Sequence, residues 1–264
     1  MSWLSENEWR ATQAVAPWFI FLFLSAILLF LITAKPWTAL LKSLKCEGGK
    51  VTPLSRPLPF ICAIGTWLVI AQLESFETTI MLIGSLLLVP LTLGTGEILR
   101  LGWWPSPLRF IFHYILLGLG TVFILWLLHA SLTYLWFLAK WPFHEQPAVK
   151  IFLQTQGLVP ILVFVLQACF IAPLIEEFFF RGTLYPLLKT FSHPLIAAFV
   201  TSLIFAWIHF YWVGFLPLFL LGLLLTAAYE RTGSVWASIG IHIGFNTLNI
   251  IALLILKAGI EQLS

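Results

Sequence analysis

Ile175-Glu176-Glu177-Phe178-Phe179-Phe180-Arg181 sets two carboxylates and a guanidinium inside an otherwise apolar run. An ionised side chain at the centre of a membrane helix costs about 2.5–3.5 kcal/mol even on lenient insertion scales. Paired acids in such a place call for a function. Two later points of polarity also interrupt apolar segments: Phe205-Ala206-Trp207-Ile208-His209 and His242-Ile243-Gly244-Phe245-Asn246. The three patches are expected to meet in one buried polar pocket.

The rest of the chain makes that setting a membrane. Of 264 residues, 60% are hydrophobic and 9% charged, and the mean hydropathy is +0.99. Soluble domains carry about 25% charged residues, so the composition implies an all-α, polytopic membrane protein. The net charge of +3 is too small and too dispersed to suggest a nucleic-acid partner. All eleven acids are glutamate, which excludes an aspartate dyad. Cys46, Cys62 and Cys169 form neither a CxxC nor a metal-ligand spacing. Glu6, Glu8 and Arg10 precede the first apolar run, unlike the basic n-region of a signal peptide, so the first helix is expected to be retained. The terminal Glu261-Gln262-Leu263-Ser264 has no CaaX cysteine.

A span needs about 20 apolar residues at 1.5 Å rise. By that measure the candidates are roughly 17–34, 58–73, 78–95, 110–139, 152–189, 194–212, 214–230 and 234–256, or about eight transmembrane helices. Pro160 and Pro173 predict a kink in the fifth, since each removes a helical N–H. Eight alternating spans put ten of the fourteen Lys and Arg residues on one side, five of them in the loop near 35–57. That side is expected to be cytoplasmic, with the pocket opening toward it from the plasma (inner) membrane. Trp18, Trp37, Trp103, Trp104, Trp141, Trp212 and Trp236 fall near span boundaries and read as an aromatic belt at the headgroups. Residues 1–149 read as N-terminal scaffold helices and 150–264 as the chemical half.

Within that half, spacing divides the polar residues by role. Glu176 and Glu177 point about 100° apart on a helix, and Arg181 lies four residues after Glu177, on its face. Arg181 is expected to neutralise Glu177, leaving Glu176 available as a general base. The turn Thr190-Phe191-Ser192-His193-Pro194 makes a helical hairpin whose arms, fourteen residues back to Glu176 and fifteen on to His209, are nearly equal. Both side chains should lie roughly 20 Å from the turn and meet at one depth. His242 and Asn246, four apart, share a helical face. A carboxylate with an imidazole can hold and deprotonate water, and a second imidazole with an amide can donate to an oxyanion.

The order EExxxR, FxxxH, HxxxN resembles the CPBP (Abi) family of intramembrane proteases, which includes the type II CAAX prenyl endopeptidases. Ala172-Pro173-Leu174-Ile175 before the acids, Gly182 after Arg181, and Tyr229-Glu230-Arg231-Thr232-Gly233-Ser234 before His242 extend the resemblance over roughly residues 150–250. It implies an endopeptidase in which Glu176 and His209 activate water, His242 and Asn246 form the oxyanion site, and Glu177 with Arg181 is auxiliary. It also implies a mechanism without cofactor or metal. Zinc on Glu176, His209 and His242 is the alternative from residue types alone. The implied partners are the lipid bilayer and a membrane-anchored or lipidated peptide or protein substrate.

Other readings remain beside this one. The same fold serves as a non-catalytic membrane partner (an immunity or assembly factor), or the acids serve a transporter, although no inverted repeat is visible. His144-Glu145 begins like HExxH, but Ala148 stands where the second His belongs. His113, His129, His144 and His193 lack acid or amide partners at helical spacing and read as loop, boundary or packing residues. Cys169 reads as packing rather than nucleophile, and Ser202, without a GxSG turn, as a small residue easing helix contact.

Overall fold

Gly240 and Gly244 lie one helical turn apart, a spacing that opens a groove for a neighbouring backbone. The computed structural model, which describes residues 51, 101–103, 106–141 and 146–261, fills that groove with another helix. Regular structure among the described residues is all helical. α1 is Leu108–Leu138, α2 Pro147–Gln154, α3 Leu158–Phe191, α4 Pro194–Trp207, α5 Phe215–Thr232 and α6 Val235–Glu261. α1 crosses α6 so tightly that a Cβ on Gly244 would sit 2.1 Å from the Ile115 carbonyl oxygen. One on Gly118 of α1 would sit 2.0 Å from that of Ile241. The contact turns Gly240 and Gly244 toward α1, and His242, midway between them, is left to face α3. α4 and α5 approach closely in the same way, with Gly222 against Ser202.

α1, α3, α5 and α6 are long and apolar enough to cross a membrane. α4, with 14 residues, is shorter than the expected 194–212. The chain leaves the helix after Trp207 and turns through Phe210, whose φ of 47° is left-handed. The first three candidate spans lie outside the described residues. The fifth also differs from expectation: α2 and α3 are separated at Thr155–Gly157, where Gly157 has φ 83°. The 149/150 division therefore falls inside α2. Leu158, Val159 and Leu162 on α3 are exposed, as a lipid-facing surface requires.

Proline shapes α3 differently from the simple kink expected. Pro160 sits in the first turn, where no N–H is needed. Pro173 and Pro186, thirteen residues apart, each follow a π turn, Gln167–Ile171 and Phe180–Leu184. A helix interior accommodates proline poorly because the ring clashes with the i−4 carbonyl and the N–H is missing. In both places the wider turn precedes the ring. The segment Ala172–Phe179, carrying both glutamates, lies between the two π turns.

Leu101–Trp103 crosses the α5–α6 turn. Gly102 accepts from Val235 N at 3.2 Å, and the Leu101 carbonyl accepts from the Tyr229 hydroxyl at 2.8 Å. Trp103 is therefore not a headgroup-belt residue: it is buried, its carbonyl accepting from the Trp236 indole at 3.0 Å. Trp141 and Trp212, each 57% exposed, do suit a belt. Trp18, Trp37 and Trp104 lie outside the described residues.

Candidate active site

Glu177 and Arg181 form the i,i+4 pair that their spacing predicts. Arg181 Nη1 donates to Glu177 Oε1 at 2.9 Å, and both side chains are wholly buried. Arg181 has two further supports: Nη2 donates to the Gly222 carbonyl at 2.9 Å, and the guanidinium lies 4.8 Å from the Phe205 ring centroid. Fixed partners of this kind are what a buried ion pair needs to offset its desolvation. Glu177 does more than the sequence indicated. Its Oε1 also accepts from His242 Nδ1 at 2.8 Å. A carboxylate can only accept, so Nδ1 carries the proton and Nε2 is turned toward Glu176, with 3.8 Å between Nε2 and Oε2.

Glu176 differs from its neighbour as the 100° rotation requires. Its side chain is one-quarter exposed, and Oε2 has no hydrogen-bond partner among the described residues. Glu176 opens into a cavity of about 690 Å³ together with His209, His242 and Asn246, so all four expected catalytic residues line one space. The surrounding wall is largely apolar, with Leu125, Phe164, Leu221 and Leu253 among its members. His129 and Tyr211 bridge part of the same wall with a 2.7 Å hydrogen bond, so His129 is more than a boundary residue.

His209 reaches the cavity from the loop after α4 rather than from a helix. Its Nδ1 is 2.7 Å from the Phe205 carbonyl, which can only accept. Nδ1 therefore holds the proton, and Nε2 presents a lone pair when the ring is neutral. Phe205 packs against both imidazoles, with centroids 4.9 Å from His209 and 5.8 Å from His242.

Asn246 has a partner that motif spacing does not reveal. In the first π turn Ala172 N–H bonds back to the Gln167 carbonyl, and Pro173 has no N–H to offer. The Ala168 carbonyl thus lacks a helical donor and takes Asn246 Nδ2 at 2.8 Å. One amide N–H of Asn246 remains for the cavity.

The minor candidates resolve as packing. Ser202 donates to the Ala198 carbonyl at 2.7 Å, Cys169 is buried, and His193 caps α4 by accepting from Leu195 N. Among the described residues no group of three or more His, Cys, Asp or Glu is arranged to hold a metal ion. A further polar cluster escaped sequence reasoning. Buried Glu230 accepts from the Tyr185 hydroxyl at 2.8 Å and from Lys189, which also donates to the Val51 carbonyl at 2.7 Å.

Comparison with known proteins bears out the family read from the motifs. Residues 158–248 match the family described as type II CAAX prenyl endopeptidase Rce1-like. The chain is also similar to the UPF0177 protein YbdJ of Lactococcus lactis subsp. lactis, at 31% identity over 149 residues. That alignment covers 55% of this chain and 61% of the relative's length. No solved structure matches the chain. The four long apolar helices and the family match together identify an integral membrane protein. Residues 158–248, which carry Glu176, His209, His242 and Asn246, are thus similar to the Rce1-like family.

Proposed function

We propose that the cavity hydrolyses peptide bonds, with Glu176 as general base. The observation that carries this reading is the division between the acids: Glu177 is bonded to Arg181 and His242, while Glu176 faces the cavity shared with both imidazoles and Asn246. A water in that cavity would donate one hydrogen to the Glu176 carboxylate and the other to His209 Nε2, aiming its lone pair at a substrate carbonyl. Glu176 takes the proton as the new C–O bond forms. The oxyanion is met by the free Asn246 N–H and by the His242 ring, which Glu177 orients. Glu176 then returns its proton to the departing amine as the C–N bond breaks. Preorganised donors act strongly here because bulk water is excluded. No step in this scheme requires a cofactor or metal.

The substrate class is a peptide that reaches the bilayer: a prenylated C-terminus, a membrane-anchored precursor, or a leader segment. The bias of basic residues supports access from the cytoplasmic side. Terminal-peptide proteomics on membranes from cells expressing wild type or Glu176→Gln at matched levels tests the reading. A new terminus found only with wild type supports it and names the bond cut. Identical termini, with both proteins folded, would overturn it in favour of a non-catalytic partner.

A further inference from the structure

We propose that Trp103 is a positioning residue of this site, its indole fixing the rotational setting of the helical segment that carries Glu176 and Glu177. The inference deepens the hydrolytic reading and rests on Glu176 being the base. Trp103 lies outside the residues that match the family, in the half of the chain to which sequence assigned only a scaffold role.

Two π turns flank Ala172–Phe179. Each holds one residue more than an α turn, so losing one, or moving it past the segment, rotates the segment by about 100°, the same angle that separates Glu176 from Glu177. The placement of the turns therefore decides which carboxylate opens into the cavity. Each turn is pinned from outside. At the first, Asn246 takes the Ala168 carbonyl that Pro173 leaves without a donor. At the second, Pro186 lacks the N–H that would serve the Gly182 carbonyl at i+4, and Trp103 Nε1 donates instead at 3.2 Å.

Local packing makes this contact specific. A Cβ on Gly182 would sit 2.7 Å from Trp103 Nε1, so only glycine leaves the indole its place. The ring also packs on Phe178, centroids 5.1 Å apart, beside Glu177. Gly182 in turn follows Arg181, which holds Glu177, which holds His242 Nδ1. Displacement at Gly182 is thereby conveyed to the imidazole facing Glu176.

The test uses the full chain in lipid nanodiscs with ¹⁵N-labelled histidine, the His242 resonances assigned by their loss in His242→Gln. Trp103→Phe keeps a ring against Phe178 and deletes the donor. The expected result is a displaced or doubled His242 Nδ1 signal in Trp103→Phe and in Gly182→Ala, with none in Trp141→Phe, an exposed control. On a cleaved peptide, kcat should fall about tenfold with KM unchanged, a loss of about 1.4 kcal/mol. If Trp103→Phe does not fold, Gly182→Ala decides. His242 signals identical to wild type in the folded variants would overturn the assignment. Absence of cleavage by wild type would instead refute the hydrolytic reading, while the His242 signal still decides the role of Trp103.

Discussion

Replacing Arg181 by leucine tests whether the buried pair organises the site. Both partners are 0% exposed, and Arg181 contributes the Nη1 bond to Glu177 and the Nη2 bond to Gly222. The variant strands the Glu177 carboxylate with His242 as its remaining partner. Removing one member of a buried ion pair costs about 3–5 kcal/mol. For a chain somewhat above 250 residues, each kcal/mol lowers the melting temperature by about 2–4 °C, giving a fall of roughly 6–20 °C. Thermal unfolding in detergent, followed by loss of monodisperse protein, reads this directly. The double variant Glu177→Leu/Arg181→Leu removes both charges and should recover most of the lost stability, because apolar replacements of buried pairs are often neutral. It should not recover cleavage, since His242 has lost its orienting carboxylate. A single variant melting within 2 °C of wild type would refute the reasoning, as would a double variant less stable than the single one.

Two other perturbations have equally definite outcomes. Gly244→Ala inserts a methyl 2.1 Å from the Ile115 carbonyl oxygen, and such overpacking costs about 1–3 kcal/mol. The same thermal assay should show a destabilised protein. Tyr229→Phe deletes the buried bond to the Leu101 carbonyl, a loss of about 1–3 kcal/mol. Limited proteolysis should then cut faster near residues 101–103, with cleavage near α6 unchanged.

Much of the site was legible because its residues stand in apolar surroundings, where polarity needs a reason. The Glu177–Arg181 pair followed from i,i+4 spacing alone, and the convergence of Glu176, His209, His242 and Asn246 on one cavity followed from motif order and equal hairpin arms. The Glu177–His242 bond was not legible: the two residues lie on different helices, and spacing within one helix says nothing of azimuth between two. A signal did exist in Gly240 and Gly244, whose groove faces α1 and so sends His242 the other way. His209 was placed on a helix because the apolar run continues through Phe210 and Trp212. Backbone conformation at Phe210, not hydropathy, ends α4. Trp103 was read from position along the chain, which resembles that of a belt residue. The vacant carbonyl that draws it inward depends on Pro186, distant in sequence.

The central claim is that Glu176 activates water to cut a peptide bond. It is tested most directly in proteoliposomes of purified chain, using the peptide identified from the cellular termini as substrate. General-base catalysis contributes about 10²–10⁴-fold. Glu176→Gln, inserted and melting like wild type, should therefore cleave at least 100-fold more slowly on that scale. Cleavage by Glu176→Gln within a few-fold of wild type would contradict the account.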